Sequence, residues 1–190
     1  MNLVIFGAPG SGKGTQSELL IDNLNLYHIS TGELLRDHIA RKTELGKVAD
    51  SYISKGNLIP DELMIDILAH HIDEHPESNG RLLLDGFPRT IAQAERLESL
   101  LAERGTKLDA VVGLEAPVSQ LIPRLLRRGE ETGRADDNLE TINQRLKVYH
   151  EVSHPLRDHY IGKGIYHPIN AIGKVDEIQK EILSSLKAKG

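Results

Sequence analysis

Cysteine is absent from all 190 residues. That removes disulfides, thiolate metal sites and thiol redox chemistry, and makes a reducing compartment no obstacle. Long apolar runs are missing as well. The first run, residues 3–6, lacks the basic leader and the length of a secretion signal, and no later run approaches the roughly 20 residues of a membrane span. The expectation is a cytoplasmic protein without a membrane partner. Charge of one sign is not in large excess either, with 23 Lys+Arg against 28 Asp+Glu for a net −5. Interspersed charges and a pI near 6.0 argue against coating nucleic acid by bulk electrostatics, so any anion must be bound locally. Internal repeats and low-complexity tracts are also lacking. What is present, 39% hydrophobic and 27% charged residues, suits one ordinary globular domain with room for an insertion.

Short apolar runs at 2–6, 81–85, 109–115 and 164–169, with a weaker one at 27–29, read as strands. Between them, apolar residues at three- and four-residue spacing predict helices over 13–24, 32–41, 45–55, 61–74, 90–104, 118–128, 139–160 and 175–186. The alternation predicts an α/β fold, a mostly parallel sheet with helices on both faces. Residues 32–74 hold more helix than a crossover needs, so part of them is expected to protrude. The polar stretch 127–138, whose largest apolar residue is Ala135, is expected to be a mobile loop outside the core.

Gly7-Ala8-Pro9-Gly10-Ser11-Gly12-Lys13-Gly14-Thr15 falls between the first strand and the first helix, where backbone N–H groups at a helix start favour an anion. Glycines let the chain wrap close to phosphate oxygens, and Lys13 adds a mobile positive charge. The hydroxyl that usually follows the lysine is displaced by Gly14 to Thr15. Asp85 ends the run Leu82-Leu83-Leu84, a position suited to hold Mg²⁺ through water beside bound phosphates.

Arg89 follows Gly86-Phe87-Pro88 at the carboxyl end of that strand, and Gln93 lies one turn further on. A guanidinium there can grip phosphate through two parallel bonds. Arg36, Arg124, Arg128, Arg134 and Arg145 extend the set. So many cations suit phosphoryl transfer between two polyphosphates, whose crowded charge must be neutralised. Arg128 and Arg134 flank the glycine loop within that polar stretch, so a hinged lid could carry them inward and exclude water.

With Gly10-Ser11-Gly12-Lys13-Gly14-Thr15-Gln16, Ser30-Thr31-Gly32, Lys55-Gly56-Asn57-Leu58-Ile59-Pro60-Asp61, Asp85-Gly86-Phe87-Pro88-Arg89 and Gly133-Arg134-Ala135-Asp136-Asp137-Asn138 in order, the chain resembles the adenylate kinases in their short-lid form. The resemblance implies a phosphate-loop fold of three layers with five parallel strands. It implies a core of 1–29, 60–127 and 139–190, a monophosphate-binding insertion at 30–59 and a lid at 128–138. It also implies reversible transfer from ATP to AMP giving two ADP, with Mg²⁺ accompanying ATP, and a monomer. For ATP it assigns Gly10, Ser11, Gly12, Lys13, Gly14, Thr15, Arg124, Arg128 and Gly173. For AMP it assigns Thr31, Arg36, Asn57, Leu58, Ile59, Gly86, Phe87, Pro88, Arg89 and Gln93, with Arg134 and Arg145 bridging the phosphates. The catalytic set it implies is Lys13, Asp85, Arg89, Arg128, Arg134 and Arg145. Thr31 and Gln93 favour AMP over UMP or CMP. Departures from the pattern are Ser11 for the common Ala, Glu33 for the common Asp, and Pro123, which removes a backbone donor and can kink its helix. Longer relatives insert a lid domain that can hold zinc, whereas here no structural metal is expected.

Three rival readings stay open: the same chemistry on UMP, CMP or GMP; a nucleotide-switched or ATP-hydrolysing module; and a purely structural protein, which this many glycines and cations at one edge argue against. The guanine-reading Asn-Lys-x-Asp and the Ser-Gly-Gly of transporter ATPases are both absent. His70, His71, His75, His150, His154 and His159 read as solvated helix faces, and Asp137 or Asn138 as a helix cap.

Overall fold

A computed structural model describes residues 1–188. Its sheet has five parallel strands in the order β2-β3-β1-β4-β5, with β1 at Leu3–Gly7, β2 at Tyr27–Ser30, β3 at Leu82–Asp85, β4 at Ala110–Glu115 and β5 at Tyr166–Asn170. The α/β expectation holds, and the strand ends fall within two residues of those read from the sequence. The strands alternate between two cores because successive side chains point to opposite faces. Val4, Phe6, Leu82, Leu84 and Val111 enter one cluster with Leu68, Leu97 and Leu156. Leu3, Ile5, Leu83, Val112 and Leu114 enter the other with Leu20, Ile178 and Ile182.

The helices are α1 (Lys13–Leu24), α2 (Thr31–Ala40), α3 (Glu44–Ile53), α4 (Asp61–Glu74), α5 (Ile91–Glu103), α6 (Val118–Thr132), α7 (Leu139–Val148), α8 (Pro155–Gly162) and α9 (Val175–Ala188). The chain leaves β1 toward β2 on one side and β4 toward β5 on the other. In such sheets a crevice opens beyond the carboxyl ends of the strands at the point of reversal.

Three expectations need correction. Residues 139–160 are not one helix: α7 passes through a π turn, Tyr149–Ser153, into α8, which starts at Pro155. Proline has no N–H to continue the ladder, although His154 before it keeps helical dihedrals of φ −57° and ψ −35°. Residues 127–138 are not a loop throughout, since α6 runs to Thr132, and the remaining stretch is not wholly outside the core, because Asp136 and Asp137 are buried. The six histidines divide: His70, His150 and His154 are exposed, whereas His71, His75 and His159 are half-buried. His71 and His75 stack at 4.7 Å between ring centres, beside Tyr27, and His159 packs edge-on against Tyr160. Pro123 does not interrupt α6; it and Ser119, the carbonyl its bond would have reached, both lie on the exposed side, where water can serve that carbonyl.

Candidate active site

The phosphate loop joins β1 to α1 as the sequence order requires. Gly12 caps α1 with φ 96°, a left-handed conformation that favours glycine over any residue with a Cβ. No side chain caps this helix and its first turn holds no acidic residue, so its N–H groups are open to an anion. Lys13 Nζ donates to the carbonyls of Gly7 at 2.9 Å and Ala8 at 3.1 Å. Burial lowers its pKa to about 8; Asp85 pulls upward and Arg89, Arg145 and Arg128 push further down. Ser11 is buried and its hydroxyl has no hydrogen-bond partner among the described residues. Thr15 and Gly14 are exposed.

β3 delivers Asp85 beside this lysine, and the chain then turns through Gly86 and a cis Phe87–Pro88 bond. Gly86 has φ 80°, a left-handed conformation that favours glycine, and a Cβ there would crowd Thr31 Oγ1 at 2.9 Å and Arg89 Nη2 at 3.1 Å. Arg89 Nε donates to Gly86 O at 2.7 Å, which aims the rest of the guanidinium away from that carbonyl. Burial lowers its pKa, Arg145 adds to the shift, and Asp85 and Asp136 oppose it. The Asp85 carboxylate has no ion-pair partner within 4.0 Å among the described residues. A carboxylate free to accept, next to a phosphate cradle, fits a hydrated hard divalent ion bound jointly with substrate phosphates. No group of three or more His, Cys, Asp or Glu arranged for a metal occurs among the described residues.

Two connected cavities meet at this point. One is lined by Gly7, Lys13, Phe87, Pro88 and Tyr149, and the other by Thr31, Leu35, Arg36, Asn57, Ile59, Met64 and Gln93. Gly56, Leu58, Gly86, Arg89 and Arg145 line both. Thr31 Oγ1 donates to Asp85 O at 3.3 Å, tying the second cavity to the strand end. Arg36 lies over Gly32 with Nη1 3.1 Å from where a Cβ would stand. Its pKa falls to about 10 through burial and then the repulsion of Arg134, opposed by Asp136 and Glu33.

Arg128 and Arg145 converge on the acidic pair missed as a structural feature in the sequence. Arg128 holds Asp137 through Nε at 2.6 Å and Nη2 at 2.8 Å. Arg145 Nη1 reaches Asp137 Oδ1 at 2.7 Å and Asp136 Oδ2 at 3.0 Å. Burial would raise the Asp137 carboxyl, but the bonds and charge of Arg128, with those of Arg145, hold it below the usual range. Asn138, not Asp137, caps α7, its Oδ1 accepting from Thr141 N–H at 3.0 Å. Arg134 is half-buried, its pKa lowered by burial and Arg128. Arg124 stands apart from both cavities and donates to Ala171 O at 3.4 and 3.3 Å, near exposed Gly173. The sequence reading also missed Thr90 and Asp61, which contact Gln93; their signal was the Pro60-Asp61 and Arg89-Thr90 pairs at two helix starts.

A phosphate loop on a parallel sheet, joined to a second cavity through shared arginines, defines a phosphotransferase of the nucleoside monophosphate kinase class. The family profile for adenylate kinase matches residues 5–165. The chain is 52% identical over 187 residues to the adenylate kinase of Phocaeicola vulgatus, covering 98% of each. It is 53% identical over 186 residues to that of Bacteroides thetaiotaomicron, again covering 98% of each. With that of Porphyromonas gingivalis it shares 49% over 182 residues, 96% of this chain and 93% of the relative. The chain belongs to the adenylate kinase family, whose reaction is phosphoryl transfer between ATP and AMP.

Proposed function

We propose that Lys13, Arg89, Arg128, Arg134 and Arg145 carry this reversible transfer, with the Lys13 cavity taking the phosphates of ATP and the Thr31–Gln93 cavity taking AMP. The observation that carries the assignment is that Arg89 and Arg145 line both cavities, as a pair of cations shared by donor and acceptor must. Arg89 aligns the AMP phosphate, an oxygen of which attacks the terminal phosphorus of ATP. The bond from that phosphorus to the bridging oxygen breaks, and ADP leaves with the electron pair. The protein supplies no nucleophile, so its part is positioning and charge neutralisation. Asp85, whose carboxylate has no ion-pair partner among the described residues, would hold a Mg²⁺ accompanying ATP, and the ion would offset polyphosphate charge.

In this reading Gly10, Ser11, Gly12, Gly14 and Thr15 wrap the ATP phosphates, while Arg124 and Gly173 lie at its base. Residues 30–59 bring Arg36 and the Asn57, Leu58 and Ile59 backbone to AMP, with Gly86, Phe87 and Pro88 forming the floor. Residues 128–138 act as the lid. The protein works as a cytoplasmic monomer on soluble nucleotides and binds no nucleic acid. Its charge balance and lack of cysteine support that setting, as does the finding that no described helix is long and apolar enough to cross a membrane.

A coupled assay of ADP formation from ATP with AMP, CMP, UMP or GMP tests the reading, with acceptor-free and EDTA controls. Fast turnover with AMP alone, abolished by EDTA, is expected. A different preferred acceptor refutes the Thr31 and Gln93 assignment, and ATP loss without acceptor refutes transfer.

A further inference from the structure

Asp61 opens α4, and its carboxylate bridges to the first turn of α5. Oδ1 accepts from Gln93 Nε2 at 2.8 Å and Oδ2 from the Thr90 hydroxyl at 2.9 Å. Gln93 Oε1 accepts from the Arg89 backbone N–H at 2.7 Å, and Thr90 Oγ1 from the Gln93 backbone N–H at 3.1 Å. A side-chain amide has two lone pairs on oxygen and two hydrogens on nitrogen, and turning it over exchanges them. Here the exchange would set NH₂ against the Arg89 N–H and a carbonyl oxygen against the Asp61 carboxylate. Donor would meet donor and acceptor would meet acceptor, each at the cost of a buried unpaired group. Gln93 is 2% exposed and lines the cavity beside Thr31, Leu35 and Met64, with one lone pair and one N–H uncommitted.

We propose that Asp61 is a positioning residue that locks the Gln93 amide in one orientation and so selects a 6-aminopurine acceptor over a 6-oxopurine. The inference rests on reading this cavity as the acceptor-nucleotide site. A 6-aminopurine presents an amino donor beside a ring-nitrogen acceptor, while a 6-oxopurine presents a carbonyl acceptor beside a ring N–H, the reverse pattern. An amide free to turn over serves either base, whereas a locked one serves only one. Asp61 lies outside the lining of the cavity, so it acts through Gln93 and Thr90.

The test is steady-state kinetics with AMP and with IMP, each against ATP, for the wild type and for Asp61→Asn, Asp61→Ala and Asp61→Ser. Asn can keep its oxygen toward Gln93 Nε2 and turn its NH₂ to the spare lone pair of Thr90, whereas Ala and Ser cannot reach. Ser keeps a polar residue at the helix start, so the readout does not depend on the Ala variant folding. The AMP-to-IMP ratio of kcat/KM is expected to stay within about threefold of wild type in Asp61→Asn and to fall by about tenfold or more in Asp61→Ala and Asp61→Ser. The fall comes through a higher AMP KM and better use of IMP, with the ATP KM unchanged. An unchanged ratio in the Ala and Ser variants, loss of the ratio in the Asn variant, or a joint loss of ATP and AMP constants overturns the lock. A wild type using IMP as readily as AMP also overturns it, and a wild type with no AMP turnover overturns the reading of the cavity itself.

Discussion

Arg128 and Asp137 form a fork-to-fork pair, two parallel N–H···O bonds of 2.6 and 2.8 Å across the end of α6. The Asp137 side chain has no exposure to solvent, while that of Arg128 keeps 34%. The pair therefore joins a fixed carboxylate to a cation that keeps access to solvent. Arg145 shares the same carboxylate, so one buried anion restrains two of the cations assigned to the phosphates.

Asp137→Asn should be destabilising, because it leaves two guanidinium groups without their shared charge; breaking such a pair costs about 3 kcal/mol. The pH dependence has a definite sign. The folded pKa of Asp137 lies below its ordinary value of 3.8, so its contribution is complete above that value and disappears as pH falls through the depressed one. Urea unfolding followed from pH 7 to 2 should show a steeper acid loss for the wild type than for the variant. Parallel acid limbs would contradict this.

Lys13→Met should separate stability from activity. The folded pKa of about 8 lies below the ordinary 10.5, so the charged lysine is a burden on the folded state below pH 8 that lifts as pH rises toward 10.5. Removing it should raise stability at pH 7 by about 1–2 kcal/mol, less than the shift alone implies because the bonds to Gly7 and Ala8 go too. Turnover should fall at least about 100-fold. Thermal melts at pH 7 and 10 check the sign: the gain in Tm should shrink at the higher pH.

Much of this was legible in the sequence, for physical reasons that particular residues show. Leu82-Leu83-Leu84 is buried on both faces, so it reads as an unbroken apolar run, and Asp85 and Arg89 follow from chain order alone. Gly12 and Lys13 announce their loop because few residue types tolerate that backbone around an anion. Asp136 and Asp137 were opaque, since two adjacent aspartates look solvated until folding brings Arg128 and Arg145 onto them. Pro60-Asp61 and Arg89-Thr90 mark two helix starts, but the contact between them was opaque for the same reason: Thr90 and Gln93 are 29 and 32 residues from Asp61. The break before α8 was visible in Pro155, but the apolar spacing across 139–160 hid it.

Gly46→Ala should act on the acceptor side alone. A Cβ at Gly46 in α3 would stand 2.1 Å from His38 O and 2.4 Å from His38 C in α2. Backbone cannot yield as a side-chain tip can, so α3 must move off α2, the helix that carries Thr31 and Arg36. Overpacking of this kind costs about 1–3 kcal/mol. The AMP KM should rise about fivefold or more while the ATP KM stays put. Initial-rate kinetics with each nucleotide varied in turn decides it, and equal changes in both constants would show a general loss of structure instead.

Arg89→Lys tests whether the shared cation works as a charge or as a shape. Lysine keeps the charge but replaces a planar fork with a single ammonium point. Arg89 Nε is committed to Gly86 O at 2.7 Å, which leaves both terminal nitrogens of the guanidinium to face phosphate. Lysine has no second arm, so whichever oxygen it reaches, the acceptor loses the bond that fixes its rotation. If orientation is what Arg89 provides, kcat should drop about 100-fold with only a small rise in AMP KM, since misalignment weighs on the transition state more than on binding. If charge alone matters, kcat should stay within about threefold of wild type, because the ammonium supplies the same unit of charge. Single-turnover kinetics at saturating AMP separates the two, as it reads the transfer step apart from product release, and the structure favours the first outcome because the Gly86 carbonyl already sets the plane of the guanidinium.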